Sequence, residues 1–413
     1  MKLHWQIAIA LGLAAATGAF FAPDSSVITG GAFIGNLFLN ALKMLVVPLI
    51  VSSLIQGLLS LNDPNALSRM GLKAITYYTG TCLAAVLVGL ALINLIQPGI
   101  IDGKPAGALL GLTSSSDDVI AKIGHHDMGD IVGVFTRLIP PNLIEAAAKG
   151  DILGLILFSL AFGYFCSRLP EPLAGTQRDF WRGFQQVMLD ITGLVMKFAP
   201  YGVFGLVAKT VALTGLDAIR PLAWFFVAVI AGLATHMFIV LPLTLRFIGR
   251  VSPWRHFKAM SPALLTAFSS SSSAATLPVT LDCIQNRAGV SPRVTSFVLP
   301  LGATINLDGT ALYEIAVVMF IAQAYGLDLS LGTQFMIAIL ALITSTGVAG
   351  IPSASLVAIS VILGSVGLPL EGLGVILAVD RILDMCRTAV NVFSDSCGAV
   401  VVARLEGEDV LKS

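Results

Sequence analysis

The sequence predicts an all-α polytopic membrane protein, because the chain is very apolar, carries few charges and contains many long apolar segments. Hydrophobic residues make up 56% of the 413 residues, charged residues make up 12%, and the mean hydropathy is +0.89. Ordinary soluble domains carry about 25% charged residues. A chain of this composition is expected to lie within a bilayer, and no segment suggests a soluble domain.

Eight apolar segments are long enough to cross the hydrocarbon core as helices, which requires about 20 residues each. They cover residues 4–22, 32–60, 72–98, 129–168, 184–212, 219–247, 293–325 and 371–404. The first resembles a signal peptide, but its apolar residues continue past Gly18 without a cleavage signature. We therefore expect a retained first helix.

Two further segments predict re-entrant helical hairpins. Residues 256–290 contain the serine run Ser269–Ser273, and residues 331–368 contain Gly347, Gly350 and Pro352 between apolar ends. Irregular backbone at membrane depth survives only where protein or a water-filled cavity satisfies its polar groups. Paired interruptions of this kind indicate a transporter binding site. A flexible linker is the alternative for the serine run.

The distribution of Lys and Arg predicts cytoplasmic N- and C-termini. Lys2, Arg69, Arg250 and Arg404 then fall on the cytoplasmic side, and residues 102–130 face outside. In this orientation the first hairpin enters from the cytoplasm and the second from outside. Their tips are expected to meet near the bilayer midplane.

Charge, cysteine and histidine content argue against several classes of function. A formal net charge of zero gives no basis for nucleic-acid binding. The five cysteines are odd in number and mostly lie in apolar segments, which indicates buried small side chains. The five histidines show no metal-ligand spacing, His236 stands alone, and no Ser/His/Asp set shares a segment. The sequence does not predict an enzyme.

A ladder of polar residues in the last apolar segment is the strongest pointer to function. Asp380, Asp384, Arg387, Asn391 and Asp395 are spaced by 4, 3, 4 and 4 residues, which keeps them in a helical stripe about 80° wide. Each charge at the bilayer centre costs about 2.5–3.5 kcal/mol. The helix is therefore expected to hold something charged.

The chemistry of this stripe suits a zwitterion and a small cation. Asp384 can take an ammonium group, and Arg387 can bind a carboxylate through two parallel hydrogen bonds. Asn391 and Asp395 offer hard oxygen ligands. The alternative is a structural network in which Asp384 and Arg387 satisfy each other at i, i+3.

A second motif, Asn306-Leu307-Asp308-Gly309-Thr310, interrupts another apolar segment. Asn and Gly loosen the helix there, and the freed carbonyls with Asp308 suit a dehydrated monovalent cation. The alternative is a kink with Asp308 paired to Lys or Arg. Glu314 lies six residues further on, and a carboxyl buried at that depth is a candidate proton carrier. The alternative for Glu314 is a pair with Arg381.

Four motifs resemble the glutamate transporter family, also called the dicarboxylate/amino acid:cation symporter family. They are Ser271–Pro278, Asn306–Thr310, Gly350-Ile351-Pro352 and Asp384–Asn391, in family order and spacing. The resemblance implies a homotrimer in the cell inner (cytoplasmic) membrane. Each protomer has eight transmembrane helices and two re-entrant hairpins in that family, and works by an elevator mechanism.

The resemblance also divides the chain into a scaffold part and a transport part. The scaffold comprises residues 1–70 (helices 1 and 2) and 129–218 (helices 4 and 5). The transport part comprises 71–128 (helix 3 and the outer loop), 219–255 (helix 6), 256–290 (first hairpin), 291–328 (helix 7), 329–369 (second hairpin) and 370–413 (helix 8 and the C-terminal tail).

Carried over residue by residue, the family's motifs imply a substrate site. Arg387 binds the side-chain carboxylate of the substrate and Asp384 binds its α-amino group. The other implied substrate-binding residues are Ser272, Ser273, Thr310, Gly350, Thr388 and Asn391. Dicarboxylate carriers of the family lack the acid and neutral amino acid carriers lack the arginine, so the pair implies L-glutamate or L-aspartate.

The same resemblance implies sodium as the coupled ion. The implied ligands are Gly302, Asn306, Asn391 and Asp395 in one site, Thr304 with the carbonyls around Ser345 and Thr346 in a second, and Tyr78, Thr81, Asn306 and Asp308 in a third. Glu314 implies proton co-transport and potassium counter-transport, and no organic cofactor is implied. The alternatives are a proton-coupled dicarboxylate or neutral amino acid carrier of the family, or an ion channel.

Three positions depart from the family's pattern. Ser271 stands where archaeal members have arginine, and Arg381 is expected to supply that charge from the last helix. Val348 stands where a threonine helps the second sodium site. Cys82 replaces a hydroxyl residue near the third.

Overall fold

The computed structural model describes residues 3–60, 69–112, 139–149, 152–214, 219–347 and 355–411. Within these residues the chain is almost entirely helical, which confirms the all-α prediction. The exception is a pair of two-residue antiparallel strands, β1 (Ile100–Ile101) and β2 (Lys104–Pro105).

Seven helices precede residue 219 in the described part of the chain. They are α1 (Leu3–Phe20), α2 (Ser26–Ser60), α3 (Arg69–Ile96), α4 (Leu143–Lys149), α5 (Ile152–Ser167), α6 (Glu171–Lys197) and α7 (Ala199–Thr214). Helix α8 follows, α-helical over Ile219–Thr235 and Leu241–Thr244 and π-helical over His236–Val240 and Leu245–Gly249.

Seven more helices follow α8. They are α9 (Pro253–Ser270), α10 (Ser273–Asp282, continued by a π-helical turn, Cys283–Arg287), α11 (Pro292–Ile305), α12 (Asp308–Ala324), α13 (Leu331–Gly347), α14 (Ser355–Ser365) and α15 (Gly372–Leu405).

Within the described residues, three stretches are long and apolar enough to cross a membrane by length and composition: Met70–Ile96, Ile219–Gly249 and Pro292–Ala324. The segment predicted as a span over 184–212 is divided between two helices. Helix α6 already begins at Glu171 and ends at Lys197, and α7 begins two residues later. Pro200 explains the break, because proline lacks the N–H that would continue the helical ladder.

Helices α1, α2, α5, α6 and α7 pack on one another, with α2 in contact with α5, α6 and α7. Glycines bring α2 and α7 into backbone contact. A Cβ added to Gly205 would lie 1.9 Å from the carbonyl oxygen of Gly31, a distance that no side chain tolerates.

The remaining helices surround α12. Every residue of α12 is buried, because α3, α8, α13, α14 and α15 all pack against it. A helix that is buried on all sides does not need an amphipathic pattern. The predicted loosening before it is confirmed, since α11 ends at Ile305, Asn306 and Leu307 leave helical geometry, and α12 begins at Asp308.

The serine run forms a tight turn between two helices that pack on each other, α9 and α10. Ser271 adopts the left-handed conformation with φ 52°, and Ser272 is extended and caps α10. Helices α13 and α14 also pack on each other. The segment that joins them, with Val348, Gly350 and Pro352, lies outside the described residues.

An exposed ion pair links the turn after β1 to the start of α8. The guanidinium of Arg220 donates to both carboxylate oxygens of Asp102, at 2.7 and 2.9 Å. These hydrogen bonds, together with the positive charge, hold the pKa of Asp102 below its usual range.

Candidate functional site

The polar stripe predicted from spacing lies on one face of α15 and is buried along its whole length. Asp384 is the most exposed of the five residues, at 6%, and Arg387 the least, at 1%. The helix packs against α8, α9, α11 and α12. Buried charges in such surroundings must be paired.

Arg387 is held by two carboxylates and one aromatic ring. Its Nη2 donates to Asp384 Oδ1 at 2.7 Å and its Nη1 to Asp380 Oδ1 at 3.3 Å. The guanidinium carbon lies 3.8 Å from the ring centroid of Tyr313 on α12, within cation–π range. The hydroxyl of Tyr313 donates to the same Asp380 oxygen at 2.9 Å. The guanidinium plane is therefore fixed from three directions.

The pair between Asp384 and Arg387, proposed from sequence as the structural alternative, is present. Arg381 joins it, because its Nη1 donates to Asp384 Oδ2 at 3.3 Å. Within the described residues, the Nε atoms of Arg381 and Arg387 are buried and have no hydrogen-bond partner. The two arginines thus retain donor capacity beside a shared acid.

Asn391 ties α15 to the first turn of α12. Its Oδ1 accepts from the backbone N–H of Gly309 at 2.8 Å, and its Nδ2 donates to Thr310 Oγ1 at 3.1 Å. Thr388 donates to the backbone carbonyl of Asp384 at 2.8 Å. The structure therefore brings Thr310, Thr388 and Asn391 together beside the arginine and its acids.

The tip of the first hairpin is a cluster of hydroxyls. Ser272 Oγ accepts from Ala275 N at 3.2 Å, and Ser272 N donates to Ser270 Oγ at 3.2 Å. Ser273 begins α10 and is buried. The Ser271 hydroxyl is also buried and has no hydrogen-bond partner among the described residues. Gly350, the implied contact in the second hairpin, lies outside those residues.

Asn306 and Asp395 form one part of the implied sodium-binding region. Nδ2 of Asn306 donates to Asp395 Oδ1 at 2.9 Å and to Ser394 Oγ at 3.0 Å. Its Oδ1 is buried with no hydrogen-bond partner in the described chain. A Cβ on Gly302 would lie 2.8 Å from Asp395 Oδ1 and 2.6 Å from the Tyr78 hydroxyl, so only glycine fits beside these two groups.

Asp308 lies in the second part of that region. Thr81 Oγ1 lies 3.5 Å from Asp308 Oδ1 and donates to the carbonyl of Tyr78 at 3.2 Å. The other carboxylate oxygen, Oδ2, contacts His236 Nε2 at 2.9 Å and accepts from Ser394 Oγ at 2.6 Å. Among the described residues Asp308 makes no ion pair with Lys or Arg, the alternative raised from sequence. The reading of His236 as isolated is wrong, because it contacts Asp308.

Glu314 is fully buried and contacts the second hairpin. Its Oε2 accepts from Thr344 Oγ1 on α13 at 2.8 Å, while Oε1 has no hydrogen-bond partner within the described residues. The alternative of an ion pair with Arg381 is wrong, because Arg381 is bonded to Asp384. Glu314 thus couples α12 to the arm of that hairpin.

The remaining implied sodium site is described only in part. The hydroxyl of Ser345 donates to the carbonyl of Leu342 at 3.0 Å and lies 3.7 Å from the Cys82 sulfur on α3. The side chains of Thr304 and Thr346 lie outside the described part of the structure.

Comparison with known proteins identifies the family. A protein-family model of the sodium:dicarboxylate symporter family matches residues 3–405. The chain belongs to this family. The resemblance drawn from the four motifs is confirmed, and so is the prediction that the chain is a membrane transporter and not an enzyme.

Curated relatives of the sodium:dicarboxylate symporter family align over most of the chain. A proton/sodium-glutamate symport protein of Geobacillus stearothermophilus is 36% identical over 411 residues, which is 98% of this chain and 95% of that protein. A proton/glutamate-aspartate symporter of Escherichia coli (strain K12) is 35% identical, covering 98% and 93%. The human excitatory amino acid transporter 3 is 34% identical, covering 92% and 80%.

Several residues at this family member's site were not predicted as site residues. Tyr313 packs on Arg387, Thr344 bonds Glu314, and His236 and Ser394 bond Asp308. His236 carried one signal in the sequence, since an ionisable residue inside an apolar span indicates function. No signal in the sequence marked Tyr313, Ser394 or Thr344, because the partners of these residues lie on other helices.

Proposed function

We propose that this protein is a secondary active symporter that imports acidic L-amino acids, glutamate or aspartate, with sodium. The observation that carries the proposal is the buried pair of Arg387 and Asp384, 2.7 Å apart on one helical face. Two relatives, named as a proton/sodium-glutamate symport protein and a proton/glutamate-aspartate symporter, support the same substrate class.

The opposite charges of Arg387 and Asp384 explain why an amino acid with an acidic side chain suits this site. Without substrate, Arg387 and Asp384 neutralise each other. An acidic amino acid brings a carboxylate for Arg387 and an ammonium group for Asp384, so the pair opens without leaving either charge alone. A substrate that lacks one of these groups leaves Asp384 with only its contact to Arg381, or Arg387 with only its contacts to Asp380 and Tyr313. Removing one partner of a buried ion pair costs about 3–5 kcal/mol. Thr388, Thr310, Asn391, Ser272, Ser273 and Gly350 are the proposed neighbouring contacts.

Sodium is proposed as a co-transported substrate, held by oxygen atoms. The buried Asn306 Oδ1 and the carboxylates of Asp308 and Asp395 are the hard ligands that a small cation prefers. The other proposed ligands are Tyr78, Thr81, Gly302, Thr304, Ser345, Thr346 and Asn391. The name of the Geobacillus relative, a proton/sodium-glutamate symport protein, supports this ion.

Proton co-transport and potassium counter-transport are proposed to run through Glu314. The bond from Thr344 ties this carboxyl to α13 of the second hairpin, so a change in its charge is transmitted to that hairpin. The Escherichia coli relative is named a proton/glutamate-aspartate symporter, which favours a second candidate in which protons alone drive uptake.

The division into scaffold and transport parts, at the boundaries given above, is proposed together with an elevator mechanism in a homotrimer. The packing of α1, α2 and α5–α7 on one another, and of α3 and α8–α15 on one another, supports the division. Eight spans, two re-entrant hairpins, an inner-membrane location and cytoplasmic termini belong to the same proposal.

Uptake into proteoliposomes tests the proposal. Radiolabelled glutamate, aspartate, succinate and alanine are offered under imposed gradients of Na⁺, H⁺ or K⁺, one gradient at a time. We expect saturable uptake of glutamate or aspartate that a sodium gradient drives. Uptake that ignores the sodium gradient but follows the proton gradient would favour the second candidate, and a preference for succinate or alanine would refute the substrate class.

A further inference from the structure

A chain of hydrogen bonds runs beside the proposed cation ligands and joins α8, the α11–α12 break and α15. His236 Nε2 lies 2.9 Å from Asp308 Oδ2, Ser394 Oγ donates to the same oxygen at 2.6 Å, and Asn306 Nδ2 donates to Ser394 Oγ at 3.0 Å. All four side chains are fully buried. Neither His236 nor Ser394 belongs to the sodium-ligand set proposed above.

The direction of each bond in this chain is fixed by chemistry. An ionised carboxylate only accepts hydrogen bonds, so Asp308 requires an N–H at His236 Nε2 and the hydroxyl proton of Ser394. The Ser394 oxygen then has only lone pairs to offer, and it takes an N–H of Asn306. The amide of Asn306 is thereby fixed with its nitrogen toward Ser394 and Asp395.

Two oxygens are left for a cation by this arrangement. Asn306 Oδ1 is buried without a hydrogen-bond partner in the described part of the chain. Asp308 Oδ1 has Thr81 Oγ1 at 3.5 Å, at the limit of a hydrogen bond, while the sister oxygen takes both short contacts. If His236 or Ser394 were absent, Asp308 would lose one of its two short contacts and could rotate, which would take Oδ1 away from the site. If Ser394 were absent, Asn306 would in addition be held by Asp395 alone.

We propose that His236 and Ser394 are positioning residues for sodium: they orient Asp308 and Asn306 without touching the ion. This inference rests on the proposed sodium coupling and deepens it. Residues that orient metal ligands typically change metal affinity by about 10–100-fold when replaced.

A purely structural role for a buried histidine is the competing explanation, and the chain offers a matched control. His256 is equally buried, and its Nε2 lies 2.9 Å from Ser396 Oγ. In both histidines Nδ1 has no hydrogen-bond partner among the described residues. The difference is the partner, which is a carboxylate for His236 and a hydroxyl for His256.

The test uses the reconstituted full-length protein and two readouts, the sodium concentration for half-maximal glutamate uptake and that for half-maximal thermal stabilisation of the purified protein. We expect His236→Leu to raise both by about tenfold or more, while His236→Gln, which keeps an N–H donor, stays within about threefold of the unmodified protein. Ser394→Ala and Ser394→Thr are expected to behave in the same way as the two His236 variants, respectively. The glutamate KM at saturating sodium stays nearly constant.

His256→Leu is expected to lower the melting temperature without shifting either sodium value. Unshifted sodium values in His236→Leu, or equal shifts in the Leu and Gln variants, would overturn the inference while leaving sodium symport intact. If His236→Leu does not fold, His236→Asn replaces it, because its shorter amide falls short of Asp308. If neither glutamate uptake nor the melting temperature of the unmodified protein depends on the sodium concentration, both the proposed sodium coupling and this inference are wrong.

Discussion

Nη2 of Arg387 donates to Oδ1 of Asp384 at 2.7 Å from the adjacent turn of α15, deep in the molecule. The pair is neutral as a unit, and Asp380 and Tyr313 hold the arginine from the other side. Under the proposed function, the substrate opens this salt bridge and takes the place of each partner, so that selectivity depends on the charged groups that the substrate brings.

Replacing Arg387 with cysteine removes the proposed partner of the substrate carboxylate. We expect glutamate transport to fall below detection and neutral amino acids to be accepted, because an acidic side chain would then be buried without a counter-charge. The measurement is uptake of labelled glutamate, serine and alanine. Arg381→Cys is the control, since it removes a buried arginine but leaves the Arg387 contacts, and an unchanged glutamate KM in Arg387→Cys would contradict the assignment.

Replacing Asp384 with asparagine removes the proposed partner of the α-amino group but keeps the shape of the side chain. A hydrogen bond to a charged group is worth about 1.5–3 kcal/mol, so the KM for glutamate is expected to rise by about 10–100-fold. The inhibition constant of succinate, which has no ammonium group, is expected to stay constant or fall. Competition of both ligands against labelled aspartate measures this, and a parallel weakening of both would argue against the role.

Replacing Glu314 with glutamine keeps a group that can accept from Thr344 but removes the ionisable carboxyl. We expect any dependence of the transport rate on pH or internal potassium to disappear, while sodium dependence remains. The measurement is the uptake rate across a pH series with and without internal potassium. Thr344→Val, which removes only the hydroxyl, separates loss of the contact from loss of the charge. A dependence on protons or potassium that persists in Glu314→Gln would exclude the carboxyl as the coupling group.

The contact between α2 and α7 predicts a stability effect at one glycine and none at a neighbour. A methyl group on Gly205 would collide with the carbonyl of Gly31, whereas a methyl group on Gly30 meets nothing within 4 Å. We expect Gly205→Ala to destabilise by about 1–3 kcal/mol, as overpacking does. Gly30→Ala is expected to be neutral or slightly stabilising, because alanine favours helices. Equal melting temperatures of the two variants would show that α2 and α7 separate easily.

Each site feature that could be predicted from the sequence is encoded by residues that lie close together in one segment. The 4, 3, 4, 4 spacing from Asp380 to Asp395 places these residues on one helical face whatever surrounds the helix. Asn306 and Gly309 likewise predict a break that the structure contains. Both features depend on local periodicity and local backbone preference.

Partnerships between segments were harder to predict. His236 and Asp308 are separated by 72 residues, and Tyr313 and Asp380 by 67, so no local pattern pairs them. Helix α6 was missed in its first half because polar residues between Glu171 and Arg182 lower the hydropathy below that of a membrane span, although the segment is helical. Contacts between distant segments therefore depend on tertiary packing, which no local sequence pattern shows.

The central claim is uphill symport of an acidic amino acid, and the accumulation ratio of glutamate tests it most directly. Proteoliposomes are given an inward sodium gradient with pH and potassium equal on both sides, and internal and external labelled glutamate are measured at steady state. We predict a ratio well above one that collapses when a sodium ionophore is added and is absent in Arg387→Cys. A ratio that stays at one, with glutamate only equilibrating across the membrane, would contradict the account and indicate a channel or a facilitator.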